Sequence, residues 1–312
     1  GRRDSDFDFG TNPCSEIILR PYQFCNLTEV VVRGADTPSS LKAKVRLATI
    51  LGTFQSTLTD FKYLRKIWKD NTEEERLLGV SLTGIMDNHY TNLPTADFLK
   101  KLRTTAVEVN KELAKTLKIP QSTAITCVKP SGTVSQLVDS ASGIHTRHSP
   151  YYIRTVRCDT KDPLTSFMIE KGFPNEPDVT NPTSVTVFSF PIKSPDRAVC
   201  RNDVGAIQQL ETWLLYQKHW CEHKPSVTIS VKDHEWMDVG AWVYKNFDHV
   251  AGISFLPYAD HVYQQAPYQD CDKKQYENLL KQMPKGVDFS AFVEDKDNTC
   301  LLYTSPSPRD TR

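Results

Sequence analysis

Asn12-Pro13-Cys14-Ser15-Glu16-Ile17 is the stretch on which the reading of this chain turns, and a second cysteine, Cys25, follows eleven residues after the first. The segment sets an amide, a thiol and a carboxylate at alternating positions. In an extended strand or loop, residues i, i+2 and i+4 point the same way. Asn12, Cys14 and Glu16 are therefore expected to converge on one small polar substrate, with Pro13 and Ser15 facing elsewhere. An isolated Cys-x-Glu is commoner as a core thiol beside an incidental carboxylate, because free cysteine packs as a small apolar residue. The rest of the chain separates the two readings.

Moving outward, Lys129-Pro130-Ser131-Gly132-Thr133-Val134-Ser135 follows an apolar run. Its small residues, hydroxyls and glycine make a turn, and equally a concavity of backbone amides that an anion can enter. Asp139 to Arg157 is rich in cations, namely His145, Arg147, His148, Arg154 and Arg157, with Tyr151 and Tyr152 between them. A structural use of these cations is preferred over a nucleic-acid patch. Cys221-Glu222-His223 lacks the spacing of helical metal ligands, and no metal site is assigned.

Taken in order, these stretches carry a resemblance. Asn12 to Leu19 (NPCSEIIL), Phe24 to Glu29 (FCNLTE), the Lys129 block, Asp139 to Arg154, Trp220 to Val231 (WCEHKPSVTISV) and Gly252 to Tyr258 (GISFLPY) resemble the ribonucleotide reductases, specifically the adenosylcobalamin-dependent, monomeric branch. The resemblance runs from about Phe9 to about Asp297. It implies an α/β fold, the C-terminal half of a ten-stranded α/β barrel made of two five-stranded halves, with the catalytic cysteine on a loop in the barrel centre. It implies Cys14 as the thiyl radical site, Glu16 as general base for the 3′-hydroxyl and Asn12 as a holder of ribose hydroxyls. Cys25 becomes one of two reducing cysteines that end as a disulfide. Ser131, Gly132, Thr133 and Ser135 become substrate phosphate ligands, with Lys129 a weaker candidate. The implied substrate is a ribonucleoside triphosphate, the cofactor adenosylcobalamin and the reductant thioredoxin or a similar dithiol, in a cytoplasmic monomer. Reductases fed by a metal-containing partner subunit relay the radical through a tyrosine pair on a late strand. Phe255-Leu256-Pro257 stands at that place here, which favours cobalamin over the partner-subunit alternative. A nucleotide-binding module without turnover is the reading from another class.

Composition agrees with this. The 312 residues carry 38 basic and 38 acidic side chains, so no global field draws nucleic acid, and free nucleotides suit the chain better. Mean hydropathy is −0.45, and nothing approaches the ~18 consecutive apolar residues of a membrane span. Eight cysteines without a Cys-x-x-Cys pair point to a reducing compartment.

Periodicity predicts a helix from Ser39 or Ser40 with Leu41, Val45, Ala48, Leu51, Phe54 and Leu58 on its core face. A second is expected after Thr95 and a third from about Asp203. Branched runs at 125–128, 184–190, 226–231 and 252–256 predict strands between them, hence alternating β and α units with much parallel pairing. Residues 10–297 read as one piece, within a barrel domain placed at 1–299. Both ends read as cut. Leu301 to Arg312 looks unlike a protein element, and with Cys300 it is set aside as a disordered, non-native tail.

Overall fold

Strands β1 (Asn26–Val31), β2 (Leu78–Thr83) and β3 (Thr126–Cys127) pair in parallel in that order. β4 (Thr228–Val231) and β5 (Ser254–Pro257) form a second parallel pair. An isolated parallel bridge between Val128 and Pro225 connects the two sets. Five parallel strands thus follow one another in chain order, and neither sheet closes on itself. This computed structural model describes residues 2–258 and 263–292.

The described residues separate into two units, where the sequence reads as one piece. The strands above belong to the first, drawn from Gly1–Pro150 and Ser194–Ala259; the second is drawn from Tyr151–Lys193 and Asp260–Arg312.

In the first unit a helix packs on β1 and β2 and is itself backed by a second helix. α1 (Pro38–Gln55) starts earlier than its periodicity predicts: Thr37 accepts the Ser40 amide, Ser40 caps in return, and Pro38 takes the first turn, where its missing N–H costs nothing. Leu41, Val45, Ala48 and Gly52 are buried. Leu51, Phe54 and Leu58, expected in the same stripe, are exposed. At about 100° per residue they have drifted about 80–140° from Leu41, and Leu58 lies past the last turn. α2 (Ala96–Leu117) begins as expected behind Thr95, whose hydroxyl accepts the Phe98 amide, and buries Leu99, Leu102, Ala106 and Val109. α3 (Ala206–His219) carries Trp213 and Tyr216, with Trp220 just beyond its end, all fully buried. Burying such rings requires partners for their polar ends. The Trp213 indole donates to Pro225 O, Trp220 to Cys127 O, and the Tyr216 hydroxyl to Thr91 O.

The two faces of the sheet differ. Thr28 and Leu78 face α1, close to Gly52, while Leu27 and Cys25 face the other way, close to Gly79. The candidate site residue Cys25 lies on this second face.

The second unit holds a four-stranded antiparallel sheet in the order Tyr268–Asp270, Tyr151–Asp159, Val185–Lys193, Asn175–Pro177. The run at 184–190 is therefore a strand, but not part of the parallel alternation. Its partner register runs from Tyr151 opposite Lys193 to Asp159 opposite Val185, and Tyr151–Asp159 mixes buried with exposed positions, as suits an antiparallel sheet with one covered face.

Candidate active site

The Cys14 segment is the loop of a hairpin. Gly10 and Thr11 pair antiparallel with Leu19 and Ile18, and six residues turn between them. Ser15 N–H donates to Asn12 O at 2.9 Å, and Asn12 N–H to Ile17 O at 3.3 Å. Ser15 sits at φ 65°, in the left-handed region. The loop is thus folded back on itself, and residues 12, 14 and 16 do not line up by strand alternation. What meets is Asn12 and Glu16. The Asn12 amide nitrogen donates to Glu16 Oε2 at 2.8 Å, while its oxygen accepts the Ile17 N–H at 3.0 Å. Glu16 is 1% exposed. Cys14 is exposed at the tip, and among the described residues it makes no hydrogen bond to Asn12 or Glu16.

Cys25 enters from the start of β1. Burial pushes its thiol pKa well up, and the Glu16 carboxylate adds to the effect, so the sulfur is held as a thiol beside that carboxylate. The space it occupies exists because residue 79 is glycine. A Cβ there would stand 2.4 Å from Leu27 Cδ2, 3.0 Å from Ile17 Cδ1 and 3.3 Å from Cys25 Sγ. Cys127, fully buried on β3, is a further neighbouring thiol whose pKa burial also raises.

The candidate phosphate segment is split by the fold. Ser131 and Ser135 are buried, and the Ser131 hydroxyl donates to Glu29 Oε2 at 2.9 Å. Gly132 and Thr133 are exposed, and their amides donate to nothing among the described residues. Those backbone N–H groups, rather than the buried serine hydroxyls, are the candidate anion donors of the segment. The Lys129 amide is tied to Ser81 Oγ at 2.8 Å.

The cation-rich stretch serves as scaffold. Arg147, 3% exposed, grips both Asp87 oxygens at 2.8 and 2.9 Å and reaches Asp139 at 3.0 Å. Arg157 pairs with Asp178 at 2.7 Å. His145 accepts the Thr228 amide through Nε2, and burial lowers its pKa. Cys221, Glu222 and His223 diverge in use: Cys221 is buried, Glu222 binds Arg2 through two contacts at 2.9 and 2.7 Å, and His223 supports the hairpin. Cys300 and the tail behind it lie outside the described residues.

Three side chains at the site were given no role there from the sequence, His223 having been weighed only as part of a metal-like cluster. His223 lies beneath the hairpin, its Nδ1 accepting Ile18 N–H at 3.3 Å and its Nε2 bonded to Leu78 O at 2.9 Å. Lys224 donates from Nζ to Ser15 Oγ at 2.9 Å. Glu29 has a raised pKa, chiefly through burial, and its Oε1 has no hydrogen-bond partner among the described residues. Strand alternation from Cys25 would have found Glu29; no sequence signal marks the other two.

No family model matches the chain. The adenosylcobalamin-dependent ribonucleoside-triphosphate reductase of Lactobacillus gasseri is 29% identical over 334 residues, covering 95% of this chain and 44% of that protein. Those of Lactobacillus leichmannii and Euglena gracilis are 28% and 27% identical, over 91% and 90% of this chain and 42% and 39% of theirs. The chain therefore spans about two fifths of the length of the curated relatives it matches. Among solved structures, a B-12 dependent (class II) ribonucleotide reductase superposes with a TM-score of 0.78 at 25% identity, covering 97% of this chain and 45% of that one. In sequence and in fold, the chain is a relative of the adenosylcobalamin-dependent, class II ribonucleotide reductases.

Proposed function

We propose that this chain carries the reacting half of a radical ribonucleotide reductase, which converts ribonucleoside triphosphates to 2′-deoxyribonucleoside triphosphates for DNA synthesis. The observation that carries the reading is the hairpin: an exposed thiol at the tip, with a buried carboxylate oriented by an amide two residues to either side. Adenosylcobalamin, when bound, supplies the radical that such chemistry needs, and an exposed Cys14 sulfur suits a radical source that must reach it. The sulfur's task is to take the hydrogen atom from the ribose 3′ carbon. Glu16 takes the 3′-hydroxyl proton as general base, and the Asn12 amide orients that carboxylate while facing the same ribose. The 2′-hydroxyl leaves as water on taking a proton from one of the reducing thiols, and Cys14 returns its hydrogen atom to the 3′ carbon at the end. Two electrons come from Cys25 and a second thiol, which lose their hydrogens and become a disulfide. Burial suits Cys25 to this, since it holds the group protonated until it reacts.

The amides of Gly132 and Thr133 would receive the substrate phosphates. A thioredoxin-like dithiol would then restore the disulfide. All seven described cysteines are free thiols, in keeping with a reducing, cytoplasmic setting. Among the described residues no helix is long and apolar enough to cross a membrane.

The test is Cys14→Ser in the complete reductase. Its expected outcome is nucleotide affinity within a few-fold of the parent with no deoxynucleotide formed, because a hydroxyl O–H is too strong a bond to relay the radical. Measurable turnover by that variant removes Cys14 from the mechanism. Binding of nucleotide without turnover by both the parent and the variant, given adenosylcobalamin and a dithiol, would favour a nucleotide-binding module instead.

A further inference from the structure

Lys224 lies in the segment that leads from α3 into β4, and its backbone is fixed on both sides. Its N–H donates to Glu16 O at 3.0 Å, and its carbonyl accepts from Val128 N–H at 3.2 Å. The next carbonyl, that of Pro225, accepts the indole of fully buried Trp213. From this anchored position the side chain reaches the hairpin tip, where Nζ donates to Ser15 Oγ at 2.9 Å. Among the described residues the ammonium has no carboxylate partner, and burial lowers its pKa. A half-buried cation bonded only to a neutral hydroxyl recovers little of its lost hydration.

Two further features converge on the same contact. Ser15 is held at φ 65°, a conformation that a non-glycine residue keeps only when its surroundings impose it. Opposite it, residue 252 is glycine. A Cβ there would stand 2.5 Å from Ser15 Oγ and 3.4 Å from Lys224 Nζ, so any larger residue would push the pair apart. The Gly252 backbone, the Lys224 ammonium and the strained Ser15 thus pack together one residue from Cys14.

We infer that Lys224 is a positioning residue for Cys14: it clamps the hairpin tip through Ser15 and so presents the thiol at one place above the Asn12–Glu16 pair. The inference deepens the reductase reading and rests on Cys14 being the reacting thiol. Lys224 touches no reacting atom. It acts from a rigid strand lead-in, the arrangement by which supporting residues hold a site more narrowly than a free loop can.

The experiment is amide hydrogen exchange of this chain, followed by mass spectrometry over residues 12–17, in Lys224→Met, Ser15→Ala, the double variant and Lys224→Arg. Losing a hydrogen bond to a charged group should speed exchange there about tenfold in each of the first two. The double variant should exchange no faster than either single one, because both remove the same bond. Lys224→Arg, which can still donate, should stay close to the parent. Unchanged exchange in Lys224→Met overturns the clamp, as does additive acceleration in the double variant or an arginine variant that behaves like methionine. If Lys224→Met fails to fold, Ser15→Ala alone decides, since it leaves the ammonium in place and removes only its acceptor. No nucleotide and no turnover enter the measurement, so a failed clamp leaves the reductase reading standing, and an active Cys14→Ser variant leaves the exchange result standing.

Discussion

Acid should loosen this protein through His223. The imidazole is buried, 2% exposed, between the hairpin and β2. Its two bonds fix its form: Ile18 N–H can only donate, so Nδ1 must be bare, and Leu78 O can only accept, so Nε2 must carry the hydrogen. Only the neutral ring makes both. Protonation would set an N–H against the Ile18 N–H and charge a ring stripped of water. Burial accordingly brings its pKa from 6.5 down to about 4, with nearby Arg3 adding to the fall. The unfolded chain therefore binds more protons than the folded one between those two values, and stability rises with pH across that window. Above pH 6.5 the contribution is fully present. It is lost as the pH falls from 6.5 through about 4, and at about 1.36 kcal/mol per unit the loss is about 3 kcal/mol, a large part of an ordinary domain's stability. The assay is urea unfolding by tryptophan fluorescence from pH 4 to 8, comparing the parent with His223→Gln, whose amide offers an acceptor and a donor but does not titrate. The parent should lose about 3 kcal/mol more than the variant over that range. Parallel curves would show that His223 does not carry the pH dependence and that the neutral-ring argument is wrong.

Gly79→Ala should destabilise the first unit by about 1–3 kcal/mol in urea unfolding, the scale of an overpacked core, because its Cβ overlaps Leu27 and crowds Ile17 and Cys25; an unchanged midpoint would mean that the sheet yields there freely. Cys25→Ser in the complete reductase should allow the 3′-hydrogen step but not the reduction, so the nucleotide decomposes and releases its base. Normal multiple turnover with a dithiol would remove Cys25 from the redox pair. Gly132→Val should weaken nucleotide binding by about 1–3 kcal/mol by screening the two free amides. A Cβ there meets nothing within 4 Å, so the melting temperature should hold; unchanged affinity would move the phosphates elsewhere.

Residues close together in the chain were legible without coordinates. The helix behind Thr95 and the alternation of parallel strands with helices follow from period and capping, which act over a few residues, and local chemistry marks Asn12, Cys14 and Glu16 as a candidate group, with Cys25 added only by the family resemblance. Even there the sequence misjudged how the grouping is made. Alternation along an extended segment predicts three side chains in a row, whereas a left-handed Ser15 and the Asn12–Ile17 bonds fold the loop and join only Asn12 to Glu16. The exposed half of the α1 stripe, Leu51 and Phe54, escaped for a similar reason: three- and four-residue steps look alike in sequence, but their angular drift decides which side chains face the sheet. The antiparallel second unit was not legible, since strand direction is set by pairing across distant residues, such as Tyr151 with Lys193. Tertiary structure alone assigned the supports of the site. His223 and Lys224 lie more than 200 positions from Ile18 and Ser15, and no local pattern encodes a bond closed by packing a strand lead-in against a hairpin. The same packing buried the Ser131 hydroxyl against Glu29 and left the Gly132 and Thr133 amides open. Residue types set what chemistry is possible; the long-range contacts, made because apolar faces must be covered, decided which groups are free to perform it.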